Sequence, residues 1–180
     1  CGAISGVSFL HDVGLRNKNL GRHLTIHPGV KIVAQMPERV NGWADTPQGY
    51  GLSGFQEEGL MFEGAFVPPE YTAIALPFVG RAFTEVMEAY PHLAMFGFMV
   101  ADEAVGRVWP VPGRSPFIRY SLHPDDKARV QRGLDVLAEL FFAAGAERIF
   151  LPIAGREEQA TLAAARAAIG AELDPMALEM

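Results

Sequence analysis

The residues whose types and spacing could support chemistry are few, and two histidines, His23 and His27, come first. At positions i and i+4 they would bind one metal ion if they lay on a helix. Pro28 and the β-branched residues nearby favour an extended chain instead, in which residues four apart are separated by about 13 Å. We therefore expect no metal site here, and a hydrogen-bonded structural role for one or both histidines.

The common catalytic motifs are absent from the sequence. Gly51-Leu52-Ser53-Gly54-Phe55 places its second glycine one position too early for a nucleophile elbow. There is no G-x-x-x-x-G-K-[ST], no H-E-x-x-H and no C-x-x-C. The single cysteine, Cys1, excludes an internal disulfide and a cysteine-based zinc site, and no residue is identified that would activate its thiol.

Small residues at positions 2–6 precede an apolar helix candidate, Val7 to Val13. Such residues before a helix start allow close approach of a phosphate or a sugar. The simpler interpretation is a tight strand-to-helix turn. Spacing alone favours that turn, because no complete dinucleotide-binding fingerprint is present.

A long helix between residues 121 and 145 must organise the fold. Ser121 is the candidate cap, Pro124 suits the first turn, and Gly145 suits a left-handed stop. An apolar stripe at helical spacing predicts one buried face, formed by Val130, Leu134, Leu137 and Phe141 and widened by Leu140.

Strand patterns surround this helix, at residues 30–35, 59–67, 93–100, 105–111, 116–122 and 148–151. The short turns among the third, fourth and fifth of these segments predict an antiparallel meander. Further helices are predicted at 83–90 and 156–169, with an apolar connector at 71–76. The fold class is therefore α+β, an antiparallel or mixed sheet with helices packed on one face.

Two features of the predicted sheet region bear on function. The segment Pro37–Gly54 is rich in turn residues and contains Trp43 and Tyr50, which indicates a long excursion that is functional or mobile. Glu63 lies among apolar neighbours, where it either faces solvent or forms a polar spot in an apolar cavity. The sequence alone favours the solvent-facing position.

The composition limits the class of protein. The chain has 180 residues, of which 49% are hydrophobic and 20% charged, as in an ordinary globular protein. A net charge of −6 and scattered Lys and Arg argue against nucleic acid as a partner. No apolar run has the length of a membrane span, so membrane association is not indicated, and a cytoplasmic or peripheral-membrane location is favoured over secretion.

The two ends of the sequence favour a fragment. The chain begins at Cys1 rather than Met, and no polar tether follows as in a lipoprotein; it ends at Leu178-Glu179-Met180 without a terminating feature.

The residues also resemble a known family. Gly2-Ala3-Ile4, the apolar helix and Gly14-Leu15 resemble the second signature segment of the glucose–methanol–choline (GMC) flavin oxidoreductases. Gly21 to Pro28 is similar to that family's G-x-N-L-x-x-H-P. Later segments follow the order found in its long-chain fatty alcohol oxidase branch: Glu63-Gly64, Leu76-Pro77-Phe78, Asp102, Gly106-Arg107-Val108, Tyr120, Asp126, Gly133 and Ala143 to Glu147.

The resemblance implies part of an FAD-dependent enzyme that oxidises a small-molecule alcohol, of long aliphatic chain, to the aldehyde. Residues 1–28 would be the end of the FAD domain and the crossover, 29–122 the substrate-domain sheet with its loop excursion, and 123–180 helices returning toward the FAD domain. The remainder of that FAD domain would be the partner of this chain, and the catalytic residues would lie beyond Met180.

The resemblance also places site residues. Gly2, Ala3 and Ile4 would approach the flavin. An apolar wall for the substrate would come from Phe62, Phe66, Met95, Phe96, Phe98 and Met99, with Glu63 beside them, although strand alternation requires about half of these side chains to fill the core. The alternatives are a sterol or sugar alcohol substrate, a stand-alone module that binds lipid or another hydrophobic ligand without redox activity, and an interaction domain that uses residues 37–54.

Overall fold

The computed structural model describes residues 2–44 and 46–171, which form an α+β fold with two antiparallel sheets. The predictions made for Cys1 and for Leu178 to Met180 lie outside these residues. The helices are Gly2–Asp12 (α1), Pro69–Ala75 (α2), Gly80–Glu88 (α3), Pro124–Ala143 (α4) and Leu162–Gly170 (α5). The strands are Arg22–Leu24 (β1), Gly29–Gln35 (β2), Gly51–Leu52 (β3), Leu60–Gly64 (β4), Leu93–Val100 (β5), Gly106–Trp109 (β6), Phe117–Arg119 (β7), Arg148–Phe150 (β8) and Glu158–Gln159 (β9).

The larger sheet has six strands in the order β3-β4-β5-β2-β8-β9, and every neighbouring pair is antiparallel. Its centre is the pair β5 and β2, which runs in register from Met99 opposite Gly29 to Leu93 opposite Gln35. Residues 93–100 therefore form the predicted central strand.

Helix α4 covers one face of this sheet and is held by well-formed ends. The predicted stripe is buried at Val130, Leu134, Leu137 and Phe141, whereas Leu140 is exposed and does not widen it. The N-cap is His123, not Ser121: its ring accepts the backbone N–H of Asp125, and the Asp126 carboxylate accepts the N–H of His123.

The end of α4 is as predicted. Gly145 has a φ of 90°, and the N–H groups of Gly145 and Ala146 donate to the carbonyls of Phe142 and Phe141. This pair of bonds is a Schellman motif, which a glycine in the left-handed conformation allows. Helix α5 packs beside α4 and begins after Thr161, so the predicted helix at 156–169 starts late; Glu158 and Gln159 form β9 instead.

Helices α2 and α3 cover part of the opposite face of the sheet, so the prediction that the helices pack on one face only is wrong. Val33, Leu93 and Phe150 point toward them and are buried against residues that include Leu76 and Val86. The connector predicted at 71–76 is wrong, because those residues lie in α2 apart from Leu76, which caps it. Pro69 occupies the first turn of this short helix, a position that tolerates the missing N–H.

The smaller sheet has the order β1-β6-β7, so the predicted meander is wrong in part. Strands β6 and β7 pair as expected, but β5 pairs with β2 and β4 instead of β6. The chain changes sheet after Val100, where Ala104 has a φ of 52°. The Asp102 carboxylate accepts the Tyr120 hydroxyl at 2.6 Å and the N–H groups of Ile26 and His27, which fixes the two sheets together.

Helix α1 packs on the small sheet through Val7, which is buried with Leu24 and Val108. It begins at Gly2, so the small residues predicted to precede a helix lie within it. Of the helices in the described ranges, none is long and apolar enough to cross a membrane.

Candidate functional site

Strand alternation divides the predicted substrate-wall residues between the two faces of the large sheet. Phe62 and Phe98 point toward α4 and are 0% and 2% exposed. Phe96 is half-buried: it packs against the same core cluster and also lines one of the cavities described below. Glu63, Met95 and Met99 belong to the other face, so the prediction that about half of the set fills the core agrees with the structure.

Part of that other face is left uncovered by α2 and α3. The uncovered part, here called the open face, is formed by side chains of three adjacent strands: Lys31 of β2, Met99 of β5, and Met61 and Glu63 of β4. Gly29 and Gly97 lie among them without side chains. The result is a shallow apolar floor interrupted by two charges.

The open face carries a groove made of adjoining cavities. One, of about 280 Å³, is lined by residues including Lys31, Glu63, Met95, Gly97 and Met99. Met99 also lines a second cavity of about 360 Å³ with Met61 and His27. Met95 and Ala65 also line a third, of about 510 Å³, which continues toward Tyr50. Because the second and third cavities each share lining residues with the first, the three adjoin, and we refer to them together as the groove.

Aromatic residues close one end of the groove. Phe66 and Pro47 line both the third cavity and a fourth, of about 500 Å³. In the fourth, Trp43 stacks on Tyr90 with ring centroids 5.3 Å apart, and the Phe66 ring is 5.6 Å from Tyr90. The Tyr90 hydroxyl donates to the Val67 carbonyl at 2.7 Å, and burial raises its pKa above the usual value. Residues 37–54 thus supply part of the groove wall.

The polar groups of the groove lie at its centre. Lys31 and Glu63 are each paired with Gly97 from opposite sides, so the three residues form one row across β2, β5 and β4. The Glu63 carboxylate accepts a hydrogen bond from Gln48 Nε2 at 2.9 Å. Glu63 is partly exposed on the uncovered face of the sheet, as the sequence favours, and it also lines the groove among apolar residues.

Several groove residues were not identified from the sequence, namely Lys31, Gln48, Met61 and Gly97. The pairing of β2 and β4 on either side of β5 brings them together, and nothing in the local pattern specifies that pairing. Alternation within 60–64 was the one available signal, since it places Met61 on the same face as Glu63.

The two histidines do not form a site. The side chains of His23 and His27 are exposed, both residues have positive φ, and the described part of the chain contains no hydrogen bond from either side chain. The proposed structural hydrogen bonds are therefore not found. Within residues 2–44 and 46–171, no group of three or more His, Cys, Asp or Glu side chains could hold a metal ion.

The residues predicted to approach FAD lie in the first turn of α1. Gly2, Ala3 and Ile4 are exposed, no acidic residue lies in that turn, and a Cβ at Gly2 would contact nothing. These features fit contact with one edge of a cofactor, since the free N–H groups of a helix start attract electron-rich groups. The described residues form no glycine-rich strand-to-helix turn that would hold the rest of a dinucleotide.

The fold and groove together define a class of protein: an α+β domain whose antiparallel sheet presents a largely apolar, grooved surface. Comparison with known proteins then narrows that class. No protein-family model matches the chain. It is 30% identical over 156 residues to an uncharacterised GMC-type oxidoreductase of Mycobacterium tuberculosis, an alignment that covers 86% of this chain and 25% of that protein.

Two further relatives are also named as oxidoreductases or oxidases. A GMC-type oxidoreductase of Sinorhizobium fredii is 28% identical, with 87% of this chain and 31% of that protein aligned. A long-chain-alcohol oxidase of Arabidopsis thaliana is 25% identical, with 83% of this chain and 22% of that protein aligned. The chain spans about a quarter of the length of the curated relatives it matches. These similarities support an assignment to the GMC-type oxidoreductases.

Proposed function

We propose that this chain is the substrate-binding part of a longer, FAD-dependent GMC-type oxidoreductase that oxidises a long-chain aliphatic alcohol to its aldehyde. The observation that carries the proposal is the groove on the open face, lined by Met61, Met95 and Met99. Methionine is unbranched and flexible, so a row of its side chains can adapt to an alkyl chain. Two relatives named long-chain-alcohol oxidases support the choice of substrate class.

The chain itself contributes binding and orientation. When bound, FAD supplies the hydride acceptor for oxidation of the carbinol carbon. The methionines hold the alkyl chain by apolar contact and exclude water from it, each buried methylene being worth about 0.8 kcal/mol. Lys31, Glu63 and Gln48 are the polar groups of the same surface, and we assign to them the orientation of the hydroxyl end. Gly2, Ala3 and Ile4 would contact the edge of the cofactor.

The groove favours an aliphatic alcohol over a sugar alcohol. A sugar alcohol carries a hydroxyl on every carbon and needs a hydrogen-bond partner for most of them when it is buried. The first cavity offers three such side chains, Lys31, Gln48 and Glu63, against an otherwise apolar lining. A sterol is also apolar, but its fused rings are wider and more rigid than an alkyl chain. The groove consists of several small adjoining cavities, which suit the narrower and flexible alkyl chain better.

A second function is favoured by one observation: the groove is lined mainly by apolar side chains, among them Met61, Met95 and Met99. A stand-alone module that binds a hydrophobic ligand without redox activity would need nothing more. The two functions differ in whether a bound alcohol is oxidised, which an activity measurement decides.

The test uses the longer protein that contains this chain, supplied with FAD. Straight-chain primary alcohols of increasing length are assayed for aldehyde formation, together with a sugar alcohol and a sterol. We expect kcat/KM to rise about threefold to fourfold for each methylene until the groove is filled. A flat dependence on length, or a preference for the sugar alcohol, would overturn the aliphatic assignment. Tight alcohol binding without aldehyde would favour the stand-alone binding module.

A further inference from the structure

Three arginines lie in one row across the small sheet. Arg107 of β6 is paired with Arg22 of β1 on one side and with Arg119 of β7 on the other. Directly opposed residues of antiparallel strands point to the same face, with Cβ atoms about 5 Å apart. Arg107 and Arg119 therefore lie on one surface, away from the face that packs on α1 through Val108. Arg22 is exposed opposite Arg107, at a register irregularity of β1, and extends the row at its edge.

No acid neutralises this row in the part of the chain that the structure describes. The salt bridges there use other arginines, namely Arg81, Arg129, Arg132, Arg148 and Arg166. Like charges directly opposite each other destabilise a sheet. In a chain with a net charge of −6, three adjacent unneutralised arginines cannot be attributed to a basic composition.

The row borders a cleft with an aromatic wall. Arg107 and Arg119 line a cavity of about 220 Å³ together with Trp109, Tyr120 and Ser121. The Arg107 guanidinium carbon is 4.8 Å from the centre of the Trp109 ring, a cation–π contact that restrains its side chain. A restrained guanidinium loses less entropy when it binds an anion.

We propose that this arginine row binds a phosphate group. The planar guanidinium fork suits carboxylate and phosphate alike, and each can be held by two parallel hydrogen bonds. A carboxylate offers two oxygens and a single charge, which one arginine satisfies. A phosphate monoester offers three acceptor oxygens and a charge close to −2, which suits several arginines at once. The proposal is independent of the alcohol-oxidising function.

Two sources would supply a phosphate monoester: a soluble phosphorylated molecule and the headgroup of phosphatidic acid, a phospholipid whose phosphate is a monoester. Phe117 lies next to the cleft, packed on Trp109 at 5.4 Å between ring centroids, and is largely exposed. An exposed aromatic beside arginines is compatible with either source, so the experiment has one arm for each.

The first arm measures inorganic phosphate binding through Trp109. The chain has two tryptophans, so Trp43→Phe leaves Trp109, which contacts Arg107, as the reporter. Phosphate is titrated against chloride at equal ionic strength. We expect a saturable fluorescence change, and Arg107→Gln should weaken it about tenfold or more, since it removes a charged hydrogen-bonding partner. Arg81→Gln removes an arginine that is distant in sequence and paired with Glu85, and should change nothing.

The second arm measures co-sedimentation with vesicles of phosphatidylcholine, with and without an equal part of phosphatidic acid. Vesicle binding that requires both phosphatidic acid and Arg107 identifies a lipid headgroup as the ligand. Phosphate binding without vesicle binding identifies a soluble ligand. In phosphate-free buffer the Arg107→Gln variant should unfold at the same temperature as the parent or higher, because the change relieves repulsion between arginines. Added phosphate should raise the unfolding temperature of the parent but not that of the variant. No saturable response in either arm, or equal weakening by Arg81→Gln, overturns the proposal.

Discussion

Lys31 and Glu63 lie on the same face of the large sheet on either side of Gly97, with no side chain between them. Their Cα atoms are about 10 Å apart, two strand spacings. A Cβ at Gly97 would lie 2.9 Å from the backbone oxygen of Val30. The glycine therefore does two things: it permits close approach of β2 to β5, and it keeps the centre of the groove open.

Gly97→Ala should destabilise the protein and obstruct the groove. Because the added methyl group meets backbone rather than a flexible side chain, β2 must shift, and we expect a loss of about 1–3 kcal/mol in unfolding free energy. The matched control is Gly29→Ala on the neighbouring strand, where a Cβ would contact nothing. That variant should have the same unfolding free energy as the parent or one higher by a few tenths of a kcal/mol, because alanine reduces the conformational entropy of the unfolded chain. Equal unfolding free energies for the two variants, measured in urea, would contradict this account.

The start of α4 depends on a buried carboxylate. Asp126 is 0% exposed and accepts hydrogen bonds from Arg129 at 2.9 Å and from the N–H of His123 at 3.1 Å. Asp126→Asn removes the charge that both donors face, and should cost about 3 kcal/mol of unfolding free energy.

The control for this change is Asp125→Asn, one residue earlier and largely exposed. It loses a favourable interaction with the helix dipole and should cost less than about 1 kcal/mol. Thermal unfolding of both variants gives the comparison. If Asp125→Asn lowered the stability as much as Asp126→Asn, the cap would depend on negative charge near the helix start and not on the buried hydrogen bonds of Asp126.

The parts of the fold that follow from local periodicity were predictable from the sequence. The stripe from Val130 to Phe141 repeats at helical spacing, and residues 93–100 are continuously apolar, so α4 and β5 were found with nearly correct bounds. The pairing of β5 with β2 and β4 was not predictable, because it joins residues about 30–70 positions apart and is decided by global packing. Helix α2 was missed because seven residues are too few to show a period.

The candidate site was predicted in part for the same reason. Met95 and Met99 were identified from residue type, and Phe62 and Phe98 were included with them because type alone does not reveal the face of a strand. Lys31 and Gly97 could be recognised only once the strand order was known. The His123 cap had a detectable signal, Pro124 followed by Asp126 at the N3 position, but histidine is not a preferred capping residue.

Stability should depend on alkaline pH through Tyr120. Burial, followed by the hydrogen bond and charge of Asp102, raises the pKa of Tyr120 above its usual value of 10. In the folded state the proton is retained above pH 10, whereas the unfolded chain releases it. The stabilisation is therefore complete below about pH 10 and decreases as the pH rises further.

The variant Tyr120→Phe isolates this effect, because all other groups are common to both proteins. Near neutral pH the variant should be less stable by about 1–2 kcal/mol, the value of a hydrogen bond to a charged acceptor. Towards about pH 11 the gap should narrow, since only the parent loses stability through this residue. Urea unfolding at both pH values measures the gap; a difference that stays constant or widens with pH would contradict the assigned pKa direction.

The contribution of Met99 to substrate binding is tested by a change of polarity at nearly constant size. Met99 lines both the first and second cavities, so an alkyl chain that lies along the groove must pass over it. In the longer FAD-supplied protein, Met99→Gln should lower kcat/KM for a long-chain alcohol about tenfold, the cost of losing a buried apolar side chain, and leave short alcohols unchanged. Ile74→Gln is the control, since Ile74 lies on α2, is 83% exposed and does not line the groove. Equal effects on short and long alcohols would mean that Met99 supports the fold of the site and does not contact the chain of the substrate, and unchanged kinetics would place the alkyl chain elsewhere.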